Sequence, residues 1–278
     1  MSDISQETRA TTYKALLAAL TPGAIGEMYE VLTADLYARW LSAGQTAFDC
    51  GANVGRHTVT MARAVAPGGR VHAFEPSTAV LPHLKQRIAQ SGVADVVTLH
   101  EVALGQRAGQ ATFSVVHNAT GMSGLQLRGD LDKALNAPPR VEQITVPVTT
   151  LDVLFPPSTP VRFIKLDLEG GEYHAMLGGR NLIDRARPML VFENGRGNSA
   201  KDYGYTAEEF FRLFDDLDYA VYDALGFPFG SPQWTLGSVP WQFIAIPKGH
   251  REMSDVMTTA IPAMLNAHGL GQLISGIV

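Results

Sequence analysis

The sequence predicts an α/β fold, a largely parallel sheet covered by helices on both faces. Two observations carry that reading. Apolar, strand-like runs alternate with helical stretches through the middle of the chain, as in parallel strands joined by crossover helices. The segment Phe48-Asp49-Cys50-Gly51-Ala52-Asn53-Val54-Gly55 also reads as a strand end, a glycine turn and a helix start. Ligands of such sheets sit outside the carboxyl ends of the strands, at turns of this kind.

The elements follow in order. Residues 6–20 and 25–42 carry apolar positions at helical spacing (Tyr13, Leu16, Leu17, Leu20, then Met28, Val31, Leu32, Leu36). Pro22-Gly23 divides them, and together they make a helical N-terminal extension, residues 1–43. Strands are expected at 46–50, 70–74, 96–102, 111–116, 143–149, 161–167, 188–193, 218–222 and 241–246. Helices are expected at 54–65, 78–90, 171–185 and 206–216. This body spans residues 44–248, and a helical tail takes 249–278. One segment breaks the rhythm: residues 117–142 are rich in glycine, proline and polar side chains. A loop of that length in a compact domain is usually functional or disordered, and we read it as a lid over the substrate.

Composition narrows the function classes. With 278 residues, 46% of them hydrophobic, the chain can bury a sizeable core. A net charge of −5, from 22 basic and 27 acidic residues with no Lys/Arg-dense segment, argues against a nucleic-acid partner. No apolar run reaches the length of a membrane span, and Asp3 and Glu7 stand where a signal peptide would be basic and then apolar. A cytoplasmic protein with no membrane partner is expected. The single cysteine, Cys50, lies in an apolar strand and reads as a small core residue. The oligomeric state stays open, a homodimer included.

The strand ends carry the chemistry. Glu75-Pro76 closes the next strand, 26 residues after Asp49, and an acid there can accept hydrogen bonds from both hydroxyls of a ribose. The pair of acids points to an adenosine-containing cofactor, and the spacing of the turn selects which one. A dinucleotide site wants G-x-G-x-x-G; here the turn is D-x-G-x-N-x-G, with Asn53 at the middle glycine position. A carboxylate at Asp49 would repel a pyrophosphate but suits an ammonium or sulfonium group. S-adenosylmethionine carries both cations and no phosphate.

A second constellation lies further along. Val161 to Glu172 is an apolar strand ending in Lys165, Asp167 and Glu169, and the next strand, from Met189, ends in Glu193. Two carboxylates at adjacent strand ends can serve as a base or hold a cation, Mg²⁺ included. Asp167 is the first candidate for a base, and Glu193 and His174 are the next. His57 follows the glycine turn and is the histidine nearest the cofactor in sequence. Two rival classes remain beside a transferase: an NAD(P)-dependent oxidoreductase and a non-catalytic adenosine-binding module.

The motifs FDCGANVGRHT (48–58), VHAFEPS (71–77), VALG (102–105), VPVTTLDVL (146–154), IKLDLEGGEYHAMLGG (164–179) and PMLVFE (188–193) make the chain resemble the FkbM family of S-adenosylmethionine-dependent methyltransferases. The resemblance runs from about Leu41 to Pro247. It implies a Rossmann-like class I methyltransferase fold, with five helix-linked parallel strands and a closing antiparallel hairpin. It also implies O-methylation of a hydroxyl on a sugar or secondary metabolite. In this reading Asp49 and the amides of Gly51, Ala52, Asn53 and Gly55 hold the methionine part of the cofactor. Glu75, followed by Pro76, grips the ribose, Glu101 and Val102 flank the adenine, and Asp167 stands where acceptor and methyl meet. The acceptor pocket is expected from the lid 117–142, the N-terminal helices and the loop 195–205. The Arg196, Asn198, Ser199, Tyr203 and Tyr205 side chains of that loop suit a polyhydroxylated small molecule or glycan.

Overall fold

The computed structural model describes residues 3–129, 131–135, 137–269 and 271, the described residues meant throughout. Two helices, α1 (Asp3–Ala19) and α2 (Pro22–Trp40), precede the first strand. Helix α2 begins at Pro22 because Thr21 caps it, its hydroxyl accepting the Ala24 amide, and proline is tolerated in the first turn. Then follow β1 (Thr46–Cys50), α3 (Arg56–Val65), β2 (Arg70–Phe74), α4 (Leu81–Gln90) and β3 (Val97–His100). The middle of the chain holds β4 (Ala103–Leu104), β5 (Gly109–Val116), α5 (Leu131–Leu135), β6 (Val141–Thr149) and α6 (Leu151–Leu154). The remainder is β7 (Val161–Leu166), α7 (Glu172–Leu177), α8 (Arg180–Ala186), β8 (Met189–Glu193), α9 (Gly197–Tyr203), α10 (Ala207–Asp216), β9 (Tyr219–Asp223), β10 (Gln242–Pro247) and α11 (Arg251–Ala267).

Seven strands form the main sheet in the order β3-β2-β1-β7-β8-β10-β9. All pairings are parallel except those of β10, which runs against both β8 and β9. The seven-stranded, mostly parallel class I methyltransferase sheet read from the sequence is therefore present. One face packs against α1, α2, α3 and α11 through Leu16, Leu32, Leu36, Val59 and Ile261. The other packs against α7, α8 and α10 through Met176, Ile183, Phe210 and Phe214. Among the described residues, no single helix is long and apolar enough to cross a membrane.

Three stretches depart from the sequence reading. The strands at 111–116 and 143–149 do form, as β5 and β6, but they pair antiparallel in a separate three-stranded sheet with β4. The expected helix 171–185 is two helices separated at Gly178-Gly179, and position 178 is restricted to glycine because a Cβ there would come within 2.1 Å of the Gly105 carbonyl oxygen. The loop expected at 195–205 contains α9. Within 117–142, a short 3₁₀ turn at Thr120–Met122 is tied back by paired bonds between Ser114 and Gly124.

A buried ion pair fastens α1 to the sheet. The Arg9 guanidinium sits 3.0 Å from Asp223 and over the Phe227 ring, and also donates to the Pro228 carbonyl. Burial pushes the Asp223 carboxyl up to about 6, with Arg9 opposing the shift. Losing one partner of such a pair leaves an uncompensated buried charge. Arg9→Ala is therefore expected to lower unfolding free energy by about 3–5 kcal/mol, measured by urea denaturation. A loss under ~1 kcal/mol would show that the pair contributes no more than a surface bridge.

Candidate active site

Strand register brings the acids together. Cys50 of β1 lies opposite Phe74 of β2 and Leu166 of β7, and Leu166 lies opposite Phe192 of β8. The residues that follow, Gly51, Glu75, Asp167 and Glu193, thus emerge along one edge of the sheet. Gly51 adopts φ +84°, and a Cβ there would fall 1.9 Å from the Asp167 carbonyl oxygen. Only glycine lets the turn and the β7 end meet this closely.

A narrow crevice opens above this edge. Gly51, Asn53, Glu75, Pro76, Asp167 and Glu169 supply its polar wall, and Phe74, Val102, Leu104, Phe113 and Leu125 its apolar wall. Glu75 is clamped in place, Oε2 accepting the Asn53 amide at 2.9 Å and Oε1 the Ser77 amide at 2.8 Å. Burial raises its carboxyl above the usual range, against those two amides. Asn53, at φ +45°, leaves its Oδ1 buried without a hydrogen-bond partner. The lining includes three acids and neither lysine nor arginine, so a pyrophosphate would meet no counter-charge. A cationic nucleoside suits the donor set: acids for ribose and sulfonium, an open acceptor on Asn53, apolar walls for a base.

Other expected residues are placed differently. Asp49 is fully buried beneath the turn, its Oδ2 accepting the Thr58 hydroxyl at 2.6 Å and its Oδ1 lying 3.5 Å from Lys165 Nζ. Glu101 turns outward to an ion pair with Lys85 at 2.6 Å, while Val102 lines the crevice. His57 is buried against Tyr37 and Glu30 and lines neither this crevice nor the neighbouring cavity. His174 packs among Tyr173, Tyr203 and Tyr205.

The chemistry centres on Lys165. Its ammonium donates to the Gly51 carbonyl at 3.2 Å and to Asp167 at 3.4 Å. Burial opposes its charge, but the carboxylates of Asp167, Asp49, Glu30 and Glu193 outweigh burial and hold its pKa above the ordinary value. Carboxylate oxygens of Glu30, Asp167 and Glu193 lie within 4.8 Å of one another. Burial, then Asp167, Glu169 and Glu172, push Glu193 well above the usual carboxylate range.

A second cavity of about 540 Å³ adjoins these acids. Pro22 and Gly23, Met122 and Arg128, Glu193 and Asn194, and Asn198, Ser199 and Asp202 line it, with Trp241 as its aromatic wall. Tyr203 and Tyr205, expected to face an acceptor, are not among its lining residues. Tyr205 is buried and accepts from Asn194 at 2.9 Å, and Tyr203 lies under Gly170. Glu30 and Trp241 escaped the sequence reading; an acid beside the buried Met28, Tyr29 and Leu32 of α2 was the available signal for Glu30.

Residues 49–223 match the model of the methyltransferase FkbM domain. The chain belongs to the FkbM methyltransferase family. The acid-lined crevice is in keeping with that membership. Among solved structures it is similar to a methyltransferase FkbM from Methylobacillus flagellatus KT, at 19% identity and TM-score 0.46, over 74% of this chain and 44% of that one. The chain thus spans less than half the length of that protein. It is also similar to the O-methyltransferase TomG from Streptomyces achromogenes, at 16% identity and TM-score 0.42, over 90% of this chain and 92% of that one. No curated protein matches.

Two measurements test this FkbM site. Glu75→Ala removes a charged acceptor at the crevice and Asp49→Ala the partner of Thr58 and Lys165. Each is expected to weaken S-adenosylmethionine binding roughly 10- to 100-fold by calorimetry, and unchanged affinity in both folded variants rejects the placement. Glu172 concerns stability. It is fully buried, with Oε1 accepting the Leu168 and Gly170 amides, and burial raises its carboxyl from 4.5 to about 8. A raised carboxyl favours folding in its neutral form, so its contribution is complete below the unfolded pKa and fades as pH rises through about 8. Glu172→Gln, which mimics the neutral form, should flatten the fall in Tm between pH 5 and 9 by at least ~2–4 °C; parallel curves would contradict the shift.

Proposed function

We propose that this FkbM methyltransferase is an O-methyltransferase acting on a hydroxyl of a polyhydroxylated small molecule or glycan. One observation carries the reading: carboxylates at the β7 and β8 ends lie between the acid-lined crevice and a cavity lined by Asn194, Asn198, Ser199 and Trp241. Its volume lies within the usual range for ligand pockets. The asparagines and serine supply neutral donors and acceptors for hydroxyls, and Trp241 an aromatic face. Arg128, in the same wall, is engaged with Glu169 at 3.1 Å.

When bound, the cofactor supplies a methyl group already activated on a sulfonium. The chain's part is to orient the acceptor oxygen and remove its proton. Glu193 suits the second task best. Burial raises its proton affinity above that of an ordinary carboxylate, which makes it the stronger base. Asp167 is instead ion-paired with Lys165, and Glu30 is hydrogen-bonded to His57 at 2.5 Å. Lys165 supplies positive charge beside Asp167, which gives it the role otherwise open to Mg²⁺.

Glu193→Gln is therefore expected to cut turnover by roughly 10²–10⁴ while cofactor affinity stays within a few-fold. The assay is transfer of labelled methyl to a panel of sugars, glycosides and phenolic alcohols, with and without EDTA. Loss on Asp167→Asn but not on Glu193→Gln would move the base to Asp167. Activity abolished by EDTA and restored by Mg²⁺ would reject the lysine assignment. Labelling of amines or carboxylates alone would overturn O-methylation.

A further inference from the structure

Glu30 lies on α2, outside the segment matched by the family model, yet its carboxylate reaches the reaction acids. Its orientation is built from buried parts. His57 Nε2 lies 2.5 Å from Glu30 Oε2, and His57 Nδ1 lies 3.3 Å from the Tyr37 hydroxyl. A carboxylate can only accept, so the ring donates from Nε2 to Glu30. Burial would raise the Glu30 carboxyl, but His57 and, more weakly, Lys165 and Arg56 bring it below the usual range, so Glu30 stays charged at neutral pH.

Helix α2 is itself fixed to the sheet. The Gln242 amide of β10 donates to Thr33 at 2.9 Å, and the Trp40 indole donates to the Arg162 carbonyl of β7 at 2.9 Å. A freely solvated helix acid would need neither the buried histidine nor these anchors. Here they hold a charged carboxylate within 4.8 Å of Asp167, which lines the crevice, and Glu193, which lines the cavity.

We propose that Glu30 is an electrostatic positioning residue of the methyl-transfer site, its charge standing behind Asp167 and Glu193 and favouring the cationic group of the cofactor. His57 is the positioning residue that acts through it. This assignment rests on the methyltransferase reading, and it makes the N-terminal helix pair part of the reaction centre. Electrostatics gives it a measurable signature. A ligand with positive charge at the methyl position gains from Glu30, and an uncharged one of the same shape does not.

The experiment is calorimetry at neutral pH with two probes: S-adenosylhomocysteine, uncharged at sulfur, and sinefungin, which carries an amine-bearing carbon there. The wild-type protein should bind sinefungin more tightly. Glu30→Gln should lose about 10-fold in sinefungin affinity while S-adenosylhomocysteine affinity stays within about 2-fold. His57→Phe, which keeps the charge but frees the carboxylate, should lower the ratio by a smaller factor. Equal losses for both probes, or an unchanged ratio, overturn the assignment. Should Glu30→Gln bind neither probe, Glu30→Asp decides: its shortened reach must lower the ratio, and a wild-type ratio rejects the proposal. A wild-type protein that binds neither probe rejects the methyltransferase reading itself.

Discussion

The strand-end geometry depends on one buried ammonium. Lys165 Nζ lies within hydrogen-bonding or ion-pairing reach of the Gly51 carbonyl, Asp167 and Asp49, from a side chain only 8% exposed. A lone charge at that depth would be costly, and so would the acids converging on it. Each compensates the other, so neither lysine nor carboxylates can be placed alone. The contact with Gly51 also ties the cofactor turn to β7. Because Gly51 already touches the Asp167 carbonyl, the turn and the β7 end behave as one unit. A displacement of β7 by a fraction of an ångström would therefore be felt in the crevice and at the reaction acids together.

Around that unit the chain divides labour between two sheets. The parallel sheet supplies the charged edge: Glu75, Asp167 and Glu193 all follow directly on strand register. The small three-stranded sheet supplies the apolar side, since Phe113 of β5 and Leu104 of β4 line the crevice with Glu75. Helix α2 closes the far side of the acids. Charge thus comes from the edge of a rigid sheet, and shape from elements packed against it, a combination that keeps ionised groups fixed while leaving the walls free to differ.

The main sheet was legible because each of its buried strands is a short apolar run bounded by turn residues, and their order along the chain sets their helical crossovers. The separate pairing of β5 with β6 was not legible, since alternation along 111–116 and 143–149 describes a strand and not its neighbour. Among the candidate acids, Glu75, Asp167 and Glu193 could be read from position at strand ends. Glu101 could not, because β3 ends at His100 and the next side chain turns out toward Lys85. His57 was near in sequence to the turn but lies behind Glu30, on a helix face whose direction no local pattern announces. Glu30 itself is joined to Asp167 only through the packing of α2 on the sheet, a tertiary relation across more than a hundred residues. Gly178 reads as part of a longer helix, and its close approach to the Gly105 carbonyl is a tertiary contact that no local pattern shows.

The stretch from Thr120 to Arg128 is a party wall. Thr120, Gly121, Ser123 and Leu125 face the crevice, while Met122 and Arg128 face the larger cavity. The crevice is the narrower of the two, with about 50 Å³ of open space against about 540 Å³. That wall is tied to β5 by the paired backbone bonds between Ser114 and Gly124. A partition shared by two rooms fixes the shape of both. One short run of backbone thus shapes both chambers, and a substitution within it alters the two together.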